Sequence, residues 1–226
     1  LLDGDARAVF KNTTLDIRAY KRIRMFVHAE GDNLRNDELH AFVRLGNDFT
    51  GNYYEYEIPL KVTQPGLYKG EVLDDRRKVW PTENELNVTF EELNNVKLER
   101  NSQKYDKNFP YTIITSDGKR ITVKGNPNLS NVQVIMMGIR NPKCNAISPG
   151  NDDCGSECGE VWFNELRLTD FDNRSGWAAR GTVNIRLADL GTLNVSGFRK
   201  SIGYGNVDSK VADRNRMDTK EYDLNS

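Results

Sequence analysis

Two histidines and three cysteines in 226 residues leave little raw material for acid–base, metal or thiol chemistry. No HExxH pair, Gly-rich phosphate loop or G-x-S-x-G nucleophile elbow occurs, so the common signatures of metalloproteases, nucleotide-binding enzymes and serine hydrolases are missing. Charge of one sign is not in excess: 32 Lys and Arg stand against 33 Asp and Glu, a net charge of -1. That balance argues against a nucleic-acid binder, which carries a basic surplus. No apolar run approaches the ~18 residues of a membrane helix. No signal peptide is visible, and the chain opens Leu1-Leu2-Asp3 without Met, so a piece of a longer protein is expected. Aromatics are not scarce. Nine Tyr, nine Phe and three Trp supply a core despite a mean hydropathy of -0.68.

Alternation with period two dominates, the pattern of half-buried strands. Ile23, Met25, Val27 and Ala29 alternate with polar neighbours, as do Leu39, Ala41, Val43 and Leu45. Tyr54, Tyr56, Ile58, Leu60 and Val62 do the same, with Pro59 predicting an edge or bulged strand because it cannot donate to a ladder. Ser116-Asp117-Gly118-Lys119 predicts a hairpin turn between Tyr111–Thr115 and Arg120–Lys124. Val132–Ile139 reads as a central strand covered on both faces, and Val161–Leu168 as another. Sandwich-terminal strands are expected near Ile23 and Val161. One helix is expected: Thr89-Phe90-Glu91-Glu92 is a capping box, and the helix should end near Arg100-Asn101. The charge run Asp74-Asp75-Arg76-Arg77-Lys78 reads as a solvated loop. Many short strands with one short helix predict a mainly β protein, a β-sandwich. Its expected extent is residues 1–172. Residues 173–226 are expected to form a hairpin, from Ala178 to Phe198, and a polar tail from Val207 that is loop or weak helix.

Two resemblances sharpen this reading. Gly159–Leu168 and Tyr20–Glu30 resemble the closing and opening strands of galactose-binding-like jelly rolls. More specifically, Asp37–Arg44, Asn52–Thr63, Phe163–Asp172, Gly176–Ala179, Val195–Gly197 and Asp218–Asp223 resemble the SprA/Sov family. Members of that family are very large outer-membrane β-barrels of Bacteroidetes, the translocons of the type IX secretion system, which also serve gliding motility. The resemblance implies a non-catalytic structural or docking module of such a translocon. It implies a parent protein in the outer membrane, with this module exposed to the periplasm or the cell surface. The partners it implies are the rest of the barrel, a PorV-type outer-membrane protein, a periplasmic plug protein and secreted cargo, but no nucleic acid. The alternation of Ala178–Phe198 fits a barrel hairpin, and equally an ordinary sheet with one wet face.

Several groups are weighed as sites. Cys144, Cys154 and Cys158 are spaced C-x9-C-x3-C. A zinc site would need a fourth ligand, His28 or His40, both in predicted strands. In an outer-membrane setting the compartment is oxidising, so a disulfide within the loop is the first expectation, free thiols the second and metal the third. Asn151-Asp152-Asp153 and Asp3-Gly4-Asp5 offer oxygen ligands for a structural Ca²⁺, but lack the D-x-D-x-D-G spacing and read as solvated turns. No catalytic or cofactor residue is singled out. Tyr53, Tyr54, Tyr56, Tyr68 and Trp80 raise an alternative, a carbohydrate-binding module of a surface glycan-handling protein. Alternation splits Tyr53 from Tyr54 and Tyr56, which favours packing over a platform.

Overall fold

The structure, a computed structural model, describes residues 1–144, 155–172, 175–205, 214 and 217–225. The chain divides into two compact units, Leu1–Asp170 and Phe171–Ser226. The fold is mainly β, with two α-helices, and the first unit is a β-sandwich.

Its larger sheet has six strands in the order β1-β8-β3-β4-β7-β6, every neighbouring pair antiparallel. These are β1 (Ala6–Leu15), β3 (His40–Gly46), β4 (Tyr53–Pro59), β6 (Tyr111–Ile114), β7 (Arg120–Lys124) and β8 (Val132–Arg140). The smaller sheet is β5-β2-β9, from β5 (Glu85–Thr89), β2 (Arg22–Glu30) and β9 (Glu160–Thr169). Alternation explains how they meet. Ala41, Val43, Leu45, Tyr54, Tyr56, Ile58, Ile121 and Val123 of the large sheet form one apolar cluster with Ile23, Met25, Val27, Ala29, Leu86 and Val88 of the small one. This is the interdigitated core of two packed sheets.

Helix α2 (Phe90–Ser102) starts directly from β5 and adds Phe90, Leu93 and Val96 to that core. Its capping box forms as the sequence predicts. The Glu92 N–H donates to the Thr89 hydroxyl at 3.1 Å, and the Thr89 N–H donates back to the Glu92 carboxylate at 2.7 Å. Arg100, a turn past Val96, is wholly buried and donates to the Gly125 carbonyl at 2.7 Å. Tyr54 reaches the same helix from below, its hydroxyl donating to Asn94 at 3.1 Å. Burial pushes that phenol up to about 12.

The β6–β7 hairpin turns at Gly118, whose φ of 79° needs a residue without a Cβ. Asp117 beside it accepts from Lys119 and Thr115, which hold its carboxyl at about 2. The β3–β4 hairpin is closed differently. Asp48 accepts from the backbone N–H groups of Thr50 at 2.9 Å and Asn52 at 3.0 Å, from the Gly51 N–H, and from the Asn52 amide at 2.8 Å. Burial raises the Asp48 carboxyl, but these donors outweigh it and hold it well below the usual carboxylate range.

Four expectations for the first unit need correction. The first strand is β1, not β2. The sequence Ala-Arg-Ala-Val-Phe-Lys-Asn-Thr-Thr-Leu hides it because the strand is exposed on both faces, so no alternation marks it. The strand near Val161 is the last of this unit, as expected, and it pairs with the strand near Ile23, Ala29 opposite Val161 and Ile23 opposite Leu168. Pro59 is not on an edge strand: β4 lies between β3 and β7, and the proline falls after pairing with β7 has ended at Glu57 opposite Arg120. β8 is paired on both edges, but Ile135, Met136 and Met137 are only half-buried, so it is not covered on both faces. The charge run at 74–78 is not a loop but a second helix, α1 (Leu73–Val79), with acidic residues in its first turn and basic ones in its last, as the helix dipole favours.

The second unit holds one antiparallel three-stranded sheet, β10-β11-β12: β10 (Ala178–Arg186), β11 (Thr192–Lys200) and β12 (Thr219–Asn225). The predicted hairpin is there, closing through the Leu187 N–H to the Gly191 carbonyl at 2.9 Å. The tail is not merely loop or weak helix. Its end is a strand, because Tyr222 and Leu224 alternate with Glu221 and Asp223 and pair with Gly197 and Val195.

Two outcomes follow from these caps. Thr89→Ala removes the α2 cap and should cost about 1 kcal/mol in urea unfolding. A carboxyl held low in the folded state stabilises above its unfolded pKa, near ~3.9 for Asp, and loses that contribution as pH falls through the folded value. Asp48→Ala should therefore destabilise the chain at neutral pH, and the gap to wild type should narrow between about pH 5 and about pH 2. A gap that stays constant with pH would contradict the assignment.

Candidate functional site

The outward face of the six-stranded sheet is built by the same alternation that builds the core. With Ala41, Val43 and Leu45 inward, β3 turns His40, Phe42 and Arg44 outward; with Tyr54, Tyr56 and Ile58 inward, β4 turns out Tyr53, Glu55 and Glu57. An outward face should be wet, yet Glu55 is 4% exposed, Glu57 2% and Phe42 2%. Register explains the burial. Phe42 lies opposite Glu57 on one side and Gly138 on the other, Arg44 opposite Glu55, and Arg120 opposite Glu57. At Gly138 a Cβ would meet the Arg7 carbonyl at 2.3 Å, so only glycine admits β1 this close.

Guanidinium groups then close over the carboxylates. Arg140 bridges the two, donating to Glu57 through Nη1 and to Glu55 through Nη2 at 3.1 Å. Glu57 also accepts from Arg120 at 3.2 Å and sits 2.7 Å from His40 Nδ1. Glu55 is held by Arg44 through Nε at 2.8 Å and Nη2 at 2.5 Å. The same guanidiniums cover the aromatics: Arg44 lies 3.9 Å over Tyr53, and Arg140 4.9 Å over Phe42. Burial moves the Tyr53 phenol up, with Arg44 opposing.

Three guanidiniums thus serve two carboxylates whose oxygens are already occupied. Glu57 has three partners, so it is not poised as a free general base. The network is a hydrogen-bonded plate whose arginine side chains are between 17% and 34% exposed.

His28, the second histidine, belongs to another face. It is 3% exposed, between Trp80 at 5.7 Å and Trp162 at 5.6 Å. Its Nδ1 lies 2.7 Å from the Val79 carbonyl, an acceptor only, which assigns the proton to Nδ1. Thr63 Oγ donates to the Lys78 carbonyl at 3.1 Å. The two side chains thereby cap the end of α1 and anchor it, although α1 buries none of its own residues.

The residues weighed from sequence do not converge. Tyr54 and Tyr56 are core, Tyr53 lies under Arg44, Tyr68 donates to the Gln64 carbonyl in its own loop, and Trp80 packs on His28. They do not share one face as a stacking platform. Cys144 is disulfide-bonded and Cys158 carries an exposed free thiol, while Cys154 lies outside the described residues. The possible calcium ligands Asn151, Asp152 and Asp153 also lie outside them. Asp3 accepts from the Cys144 N–H at 2.8 Å, and Gly4 turns with φ 80°. Among the described residues no three His, Cys, Asp or Glu side chains are grouped to hold a metal. Sequence reasoning missed the arginine–glutamate plate. The signal was present as Arg44, Glu55, Glu57 and Arg120 at outward positions of strands legible in the sequence, with Arg140 one residue past the expected end of another, but which strands are neighbours is not written locally.

Removing Arg140 takes one charged donor from each of two buried carboxylates, which keep Arg44 on Glu55 and Arg120 on Glu57, so Arg140→Leu should cost about 2 kcal/mol in denaturant unfolding. Lys61→Met, which breaks the Lys61–Asp37 pair with both side chains about two-fifths exposed, should cost under about 1 kcal/mol. Equal losses would show that the plate is no more than a surface ion-pair set.

The whole chain, residues 1–226, matches the family SprA_N, described as motility related/secretion protein. No curated protein matches it. Among the described residues no helix is long and apolar enough to cross a membrane, which says nothing of crossing by strands. On the full-length match, the chain belongs to the SprA_N family of motility-related and secretion proteins.

Proposed function

We propose that the chain is a non-catalytic structural module of an outer-membrane translocon of the type IX secretion system in Bacteroidetes. In this reading the sandwich of the first unit is a rigid block, and its charged plate is a docking face for another subunit, of PorV or plug type, or for cargo. The second unit supplies strands to the barrel.

The observation that carries this reading is the sidedness of the three-stranded sheet. By register, Val183 pairs with Val195 and Val195 with Leu224, Ile185 with Leu193, and Gly197 with Tyr222, all on one face. Val183 is 56% exposed, Leu224 69% and Tyr222 84%. The opposite face carries Arg180, Thr182, Asn184, Ser196, Glu221 and Asp223 with Phe198 among them, and the first face ends in the cations Arg199 and Lys220. Away from that charged end, a largely apolar side opposite a largely polar one is what a strand between lipid and an aqueous lumen requires. β10 and β11 are each nine residues long, close to the ~9–11 of a tilted membrane strand. Family membership supports the setting, a secretion or motility apparatus of the cell envelope.

The test uses the intact parent protein in cells. In a Cys158→Ser background, cysteines at 182, 184 and 196 should react with a water-soluble methanethiosulfonate, and cysteines at 183, 195 and 224 should not. Equal reactivity on both faces contradicts the barrel assignment. Deleting residues 1–170 should stop cargo export while the barrel still reaches the outer membrane; unchanged export contradicts the docking role.

A further inference from the structure

A cleft of about 490 Å³ opens between α1 and the outer side of the small sheet. It has an aromatic floor of Phe26 and Trp80, with Leu73 at one wall. Leu73 is 53% exposed although two aromatic rings line the same space, and the chain leading into α1 leaves Val72 42% and Leu67 101% exposed. A helix that buries none of its residues but is anchored through His28 and Thr63 stands beside an apolar track that nothing in its own unit fills.

The charges around the cleft are uneven. Glu165, at a left-handed φ of 57° where the β2–β9 register shifts, has its carboxylate 3.1 Å from Arg167. Arg167 in turn lies 5.6 Å over the Phe26 ring. Arg77 reaches Asp74 only loosely, at 3.8 Å, with both side chains in solvent. Arg76 makes no ion pair or side-chain hydrogen bond among the described residues. The acidic group of the cleft is thus satisfied, and a guanidinium at its edge is not.

We propose that this cleft binds a polypeptide segment carrying an aromatic or large aliphatic side chain next to a carboxylate, the side chain seated on Phe26 and Trp80 and the carboxylate on Arg76. The volume suits one or two side chains rather than a folded partner. The cleft is open rather than enclosed, which suits a chain rather than a sequestered small molecule. A guanidinium fork pairs a carboxylate through two parallel bonds. The proposal does not depend on where the parent protein sits.

The full chain labelled with 5-fluorotryptophan gives three fluorine signals, from Trp80, Trp162 and Trp177. Trp177 belongs to the second unit and serves as the internal reference. Acetyl-Phe-Glu-amide should shift the Trp80 signal saturably at millimolar concentration and leave Trp177 in place. Acetyl-Phe-Gln-amide should bind about threefold more weakly, the size of a partly exposed ion pair. Acetyl-Ala-Glu-amide should give no saturable shift. Arg76→Ala should abolish the preference for Glu over Gln while the saturable shift with both peptides remains and the Trp177 signal stays in place. No shift at Trp80, a preference for Glu that survives Arg76→Ala, or a response to glucuronate but not to the peptides would each overturn the proposal. The last would make the cleft a saccharide site.

Discussion

Everything in the first unit depends on the register among β8, β3 and β4. Strand side chains alternate, so a slip of one residue exchanges the two faces of a strand. In the register observed, Tyr54, Tyr56 and Ile58 enter the core while Glu55 and Glu57 point out beneath Arg140 and Arg44. In the slipped register the two glutamates would enter the apolar core that now holds Tyr54 and Tyr56, away from Arg44, Arg120 and Arg140. Burying unpaired carboxylates costs several kcal/mol each, comparable to the whole stability of a domain. The plate therefore specifies the register, and the register places every other element. Such a network is better understood as a specifier than as a source of net stability, because its charges also lose water.

From that register the other features follow. β7 stands beside β4, bringing Ile121 and Val123 to the core and Arg120 to Glu57. α2 leaves β5 at its capping box and closes the core through Leu93 and Val96. On the small sheet, His28 takes the end of α1, which leaves α1 standing on the surface by its last turn. The molecule thus carries two unlike surfaces on one scaffold: a sealed charged plate and an open aromatic cleft. The second unit adds a third, a sheet with one apolar and one polar side.

Much of this was legible in the residues, and the exceptions have a common cause. The alternating strands β2, β3 and β4, the Asp117-Gly118 turn and the Thr89 box are local signals, and each is where the sequence places it. β1 was invisible because an edge strand exposed on both faces needs no alternation. α1 was invisible because a short helix with no buried face has no periodic stripe. β12 was missed because its alternation, only Tyr222 and Leu224, is short and sits after a polar stretch. The charged plate and the cleft were illegible for a different reason. Both are made where strands distant in sequence become neighbours, Glu57 with Arg140 and Phe26 with Asn164, and that adjacency is a property of topology.

The central functional claim is that a strand-built membrane pore incorporates the second unit while the sandwich stays a folded block outside the hydrocarbon. The most direct measurement is a density map of the intact parent protein in lipid nanodiscs. The account predicts β10, β11 and β12 as consecutive strands of a closed barrel, with Val183, Val195 and Leu224 toward lipid and Thr182, Asn184 and Ser196 toward the lumen. It would be contradicted if those three strands lay outside the bilayer, or if their apolar face were packed against protein.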